Sequence, residues 1–174
     1  MSPRLSLRHP ALLSALFLVA GAAACAPMPG PRTYGAAPSG AFNVADFAWS
    51  ARQGPAAING RIAYRQDNQA YGCSGSVGLT PDTPYTRQRF LTLYGSIDQA
   101  NAPESVVRAR TVADPNADYR SYVRSVPCEN GRFAFTGLPD GSWFIIAPVS
   151  AGGDRVVLMR RVETRGGRAI SVTL

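Results

Sequence analysis

Two apolar runs joined by a tight turn, near the C-terminal end, constrain this chain more than any other stretch. In Arg132-Phe133-Ala134-Phe135-Thr136 the aromatic side chains alternate with polar or small ones, the two-residue period of a strand with one buried face. Pro139-Asp140-Gly141 supplies turn chemistry: a preset φ, a side chain that tolerates tight geometry, and a residue open to positive φ. Gly141 is the position that most needs that freedom. Trp143 to Val149 then runs apolar without alternation, as a strand in a sandwich core does.

The rest of the chain adds strands of the same kind. Ala57 to Tyr64 puts Ile58, Gly60, Ile62 and Tyr64 on one face, and a mid-strand glycine there predicts a bulge or a close backbone approach. Gln66 to Gln69 is a polar turn. Tyr71 to Leu79 reads as one strand with Cys73, Val77 and Leu79 sharing a face. Tyr119 to Val126 alternates again and ends at Cys128 and the turn Glu129-Asn130-Gly131. Ser150 to Asp154 is a Gly-rich hairpin loop, Val156 to Val162 a strand, Arg165-Gly166-Gly167 a turn, and Ile170 to Leu174 a closing strand. The count is about seven strands at roughly ten-residue spacing, which predicts one all-β sandwich over residues 43–174. A short helix interrupts it at Pro84 to Tyr94: Thr83 is placed to cap it, Pro84 to open it and Gly95 to close it. Ser96 to Asp118 reads as irregular with one strand at Val106 to Val112. Val44, Phe47 and Trp49 read equally as a short edge strand or one helical turn.

Two stretches resemble a known family. Gly131-x-Phe133-x-Phe135 followed by Leu138-Pro139-x-Gly141 and an aromatic-rich strand resembles the carboxypeptidase regulatory-like, or transthyretin-like, β-sandwich domains. The run Gly60-Arg61-Ile62-Ala63-Tyr64, a polar turn, then Tyr71 to Pro81 resembles their opening strands. The likeness covers Ala57 to Pro81 and Gly131 to Val149, and the stretch between departs from the compact form. It implies an immunoglobulin- or transthyretin-like sandwich and a non-catalytic role, because the zinc and catalytic machinery of carboxypeptidases belongs to a separate domain.

The N-terminal segment carries an address. Arg4, Arg8 and His9 precede a short apolar run, Ala11 to Ala20, and small residues lead directly to Cys25. Residues 1–24 are expected to be a cleaved signal peptide. The approach to Cys25 resembles a bacterial lipobox with Ala22 where the usual pattern has Leu. Acylation of Cys25 is therefore the expectation and ordinary secretory cleavage its rival. Residues 25–42, rich in Pro, Gly and Ala, would be an extended linker. The expected place is the cell envelope, facing the periplasm and anchored by lipid, with the outer membrane as the expected membrane.

Removing 24 of the 174 residues leaves sixteen arginines against eleven acids, a charge of +5, and no lysine. The arginines are scattered, which gives no nucleic-acid signature. They are compatible with an anionic envelope surface or with codon usage alone. Cys73 and Cys128, 55 residues apart, read as one disulfide in an oxidising compartment, with two free buried thiols as the rival.

The sole histidine, His9, lies in the leader, so the mature chain would lack a histidine base, triad or metal ligand. Glu104, Glu129 and Glu163 are dispersed, and Asp114, Asp118 and Asp154 do not match a calcium loop. No catalytic residue, metal or cofactor is expected. The remaining candidates are aromatic and basic: Tyr85, Arg87, Arg89 and Tyr94, with Tyr119 and Tyr122, as a sugar- or peptide-binding face. The expectation is an envelope interaction module, with a carbohydrate- or peptide-binding domain as the alternative, meeting an envelope protein or glycan partner.

Overall fold

The computed structural model describes residues 40–110, 112 and 118–174. The expected signal peptide, Cys25 and all but the last residues of the expected linker lie outside them. Among the described residues the chain is mainly β-sheet with a few short helices, a sandwich of two unequal sheets.

The smaller sheet centres on β1 (Ala56–Arg61). It pairs in parallel with β11 (Ala169–Thr173) and antiparallel with β8 (Arg132–Leu138). The larger sheet centres on β9 (Gly141–Ala151). One side of β9 carries β10 (Asp154–Thr164) and then β6 (Gln99–Pro103). The other carries β4 (Gly72–Cys73) and β5 (Val77–Pro81), with β7 (Arg124–Val126) beyond β5. A separate hairpin joins β2 (Arg65–Gln66) to β3 (Gln69–Ala70) through Asp67 and Asn68, both with positive φ. That makes eleven strands among the described residues where seven were expected.

Alternate residues of both sheets meet in one core: Ile58, Phe133, Phe135 and Leu138 from the smaller sheet, and Leu79, Trp143, Ile145, Val149 and Leu158 from the larger. Gly60 is held by close approach. A Cβ there would stand 1.9 Å from the Phe133 ring, so the ring packs directly on the β1 backbone. Gly141 is likewise closed off by Trp49, whose ring would lie 2.2 Å from an added Cβ.

The turn at Pro139-Asp140 carries the chain from the smaller sheet to the larger, and residues 165–168 carry it back. One side chain braces both corners. The Asp140 carboxylate accepts from the Gly166 and Gly167 amides at 2.6 and 3.0 Å. Beside it the buried Thr164 hydroxyl accepts from the Gly141 amide and the Trp143 indole N–H, and can donate to the Pro139 carbonyl.

Several local expectations change. Tyr71 to Leu79 splits into β4 and β5. Cys73 and Gly78 are five positions apart, while their partners Val149 and Ile146 are three apart. The Ser74 amide still donates to the Pro148 carbonyl at 3.1 Å, but Pro148 has no amide to return, and the extra residues leave the ladder there. The expected strand at Val106 to Val112 is replaced by α3 (Glu104–Ala109), opened by an ion pair between Glu104 and Arg108; residue 111 lies outside the described residues. β6, which lies in the stretch read as irregular, was not anticipated. Tyr119 to Val126 gives a 3-10 turn, Tyr119–Tyr122, before β7. Val44 to Trp49 is helical: α1 (Val44–Phe47) and a 3-10 turn, Ala48–Ala51. The single expected helix is therefore one of three α-helices among the described residues. Cys73 and Cys128 are bonded, with Cα atoms 5.9 Å apart.

Candidate functional site

The helix read from its end signals is present with those bounds: α2 (Pro84–Tyr94). The Thr86 amide donates to the Thr83 hydroxyl, and the Thr83 amide donates to the Thr86 hydroxyl, so the first turn is closed reciprocally. Gly95, at φ 74°, ends it. The helix lies on the far face of the larger sheet. There Phe90 meets Phe144 of β9 edge-on, with ring centroids 4.8 Å apart, and Met159, Leu93, Tyr94 and Ile146 complete a second apolar cluster. Asp82 fixes the start of α2. Its carboxylate, fully shielded from solvent, accepts from Arg87 and from Arg161 of β10, each at 2.5 Å from Nε.

Between α2 and the segment Tyr119 to Ser125 a groove of about 490 Å³ opens on this face. Its floor is the outer side of β5 and β9, with Gly78, Thr80, Ile146 and Pro148. Phe90, Leu93 and Tyr94 form one wall, and Tyr119, Arg120 and Val123 the other. Ser76 and Ser125 add hydroxyls. The Arg89 Nε–H donates to the Tyr119 hydroxyl at 3.1 Å, and its guanidinium sits 4.9 Å from that ring's centre. The Arg120 guanidinium sits 5.9 Å from the same ring. Burial pushes the Tyr94 hydroxyl up to about 12, only partly opposed by Arg89. Tyr94 therefore stays an O–H donor across the physiological range. An apolar floor with aromatic walls and scattered hydroxyls can hold a small polar molecule that has one hydrophobic face.

The predicted residues divide. Tyr94 lines the groove. Arg89 braces Tyr119 from outside the lining. Tyr85 is buried among Phe42, Phe47 and Tyr119 and supports the wall from beneath. Arg87 is committed to Asp82 and does not line the groove. Tyr122 packs against Phe47, with centroids 4.9 Å apart. The sequence reading missed Arg120, Thr80, Ser76 and Ser125. A regular strand at Tyr119 would send Tyr119 and Arg120 to opposite faces, whereas the 3-10 turn brings both to one groove.

A second cavity, about 570 Å³, lies by the β9–β10 tip and includes Tyr71, Glu104, Arg108, Asp154 and Arg155. Three of its charges answer one another. Glu104 accepts from Arg108 and, at 2.9 Å, pairs with Arg155, and hydrogen bonding from Arg108 holds its carboxyl below the usual value. Glu104 opens α3, Glu129 lies in the turn between β7 and β8, and Glu163 is in β10. Among the described residues no three of His, Cys, Asp and Glu cluster as metal ligands, and Asp114 lies outside them.

No family model and no curated protein matches this chain. Among solved structures it is similar to a Pseudomonas aeruginosa protein, crystallised at 2.61 Å resolution and named a "putative carbohydrate binding protein". The TM-score is 0.53 at 22% identity, over 76% of this chain and 97% of that one. At that identity the likeness is one of fold.

Proposed function

We propose that this chain is a non-catalytic, exported β-sandwich that binds a glycan in the groove between α2 and Tyr119 to Ser125. The groove itself carries the reading: rings and hydroxyls stand over an apolar floor, the chemistry that a sugar ring's C–H face and its hydroxyls require. The name given to the Pseudomonas aeruginosa protein supports the same ligand class. To this proposal belong the immunoglobulin- or transthyretin-like arrangement, the kinship with carboxypeptidase regulatory-like domains, and attachment to an envelope membrane through Cys25. A Cys25→Ser chain should leave the membrane fraction; one that stays there as the parent does contradicts the anchor.

Calorimetric titration with neutral, amino-sugar and acidic oligosaccharides tests the binding. Saturable binding is expected for at least one class. It should weaken about tenfold in Tyr119→Ala, in keeping with the weight aromatic anchors carry, while the unfolding midpoint stays close to the parent's. A Tyr94→Phe chain keeps the ring and loses only the donor, so a smaller loss is expected there. No saturable binding in any class, or equal binding by parent and both variants, would leave a scaffold role in place of this one.

A further inference from the structure

We infer that the glycan held by this groove is acidic, bearing a carboxylate on its sugar rings, and that Arg120 meets that carboxylate; this rests on the glycan reading above. Arg120 is the charged residue of the lining, and no Asp or Glu stands among the described residues that line the groove. Its side chain is exposed, its guanidinium lies by the Tyr119 ring, and it makes no ion pair among the described residues. Two more guanidiniums touch the groove walls. Arg89 is on Tyr119, and Arg110 Nη1 donates to the carbonyl of Leu93, a wall residue, at 2.6 Å.

Among the described residues, the acids that have ion-pair or hydrogen-bond partners are committed elsewhere. Asp82 holds Arg87 and Arg161, Glu104 holds Arg108 and Arg155, and Glu163 holds Arg165. Asp140 is taken by backbone amides. Asp118, next in sequence to Tyr119, is exposed and outside the lining. A neutral ligand closing over Arg120 would strip water from a charge and return little. A carboxylate returns a charge-assisted, two-pronged hydrogen bond in the fork geometry that a guanidinium presents.

The test uses the whole chain, a galacturonate hexamer and its methyl ester, which differ only in the acid. The free acid should bind about tenfold tighter at low salt, with the gap shrinking as salt rises. Arg120→Gln should remove the gap, so that acid and ester bind that variant equally. Equal binding of acid and ester by the parent overturns this inference and leaves the glycan reading standing. So does an acid preference that survives in Arg120→Gln, and the parent-chain comparison holds even if that variant folds poorly. Binding of neither overturns the inference, and the glycan reading falls with it only if the neutral and amino-sugar titrations are also blank. Retention on phosphatidylglycerol vesicles that is lost in Arg120→Gln, with no oligosaccharide bound, assigns the arginine to lipid and overturns it as well.

Discussion

The smaller and larger sheets share one core, but their far sides differ. On β8 of the smaller sheet, Phe133 and Phe135 point inward while Arg132, Ala134 and Thr136 are exposed. On β9 of the larger sheet, Trp143 and Ile145 are fully buried inward, and Phe144 is fully buried on the other side beneath Phe90 of α2. One strand alternates because a single face is covered; the other runs apolar because a third layer covers the second face. The groove lies on the covered side, where a helix and a 3-10 turn stand on the sheet and leave a gap between them. Added segments on a rigid sheet are where binding sites usually form.

The comparison predicts that the inner core carries the fold and that the outer layer is a separable addition. The largest effect is expected at Trp143. Replacing it by Ala empties a fully buried site and removes the donor to Thr164, which should cost about 5 kcal/mol or abolish folding, read by urea unfolding. Loss of the Cys73–Cys128 bond, by a double change to Ala, should cost about 4 kcal/mol for a loop of this length; a midpoint no lower than the parent's would contradict it. Phe90→Ala, in the outer layer, should cost about 3 kcal/mol. It should leave the near-ultraviolet signature of the Trp49–Trp143 pair, 4.8 Å apart, unchanged. If that signature collapses, the two layers are one unit.

These positions also show what the sequence could reveal. α2 was legible because its signals are local: Thr83 and Pro84 at one end, Gly95 at the other. Phe133 and Phe135 were legible because a one-sided strand keeps strict alternation. β6 was not, since Gln99-Ala100-Asn101-Ala102-Pro103 has no apolar period and joins the sheet through backbone pairing with β10. The adjacent Val106 and Val107 suggested a strand, while the Glu104–Arg108 spacing that favours a helix went unweighted. In the site, Tyr94 was legible from helical spacing. Arg120 was hidden by reading a 3-10 turn as a strand. Tyr85 was misplaced because nothing local tells a wall's support from its surface.

Two smaller effects probe the outer layer directly. Thr83→Ala breaks the reciprocal cap of α2 and should cost about 1 kcal/mol, with a matching loss of helical signal. Tyr94 should titrate near 12 in the folded chain, read by ultraviolet absorbance. Because its folded value lies above the ordinary 10.0, its contribution is complete below about pH 10 and is lost as pH rises toward 12. Tyr94→Phe should therefore flatten the alkaline limb of the stability curve. A tyrosine titration with every group near 10 would mean that the outer layer is wet.

Amide chemical-shift mapping shows most directly which face of the sandwich does the binding. As the galacturonate hexamer is titrated in, shifts should concentrate at Thr80, Phe90 to Tyr94, Tyr119 to Ser125 and Ile146. Asn59, Ala134 and Ser171 on the open face of the smaller sheet should stay silent. Shifts gathered on that open face would contradict the assignment of the groove.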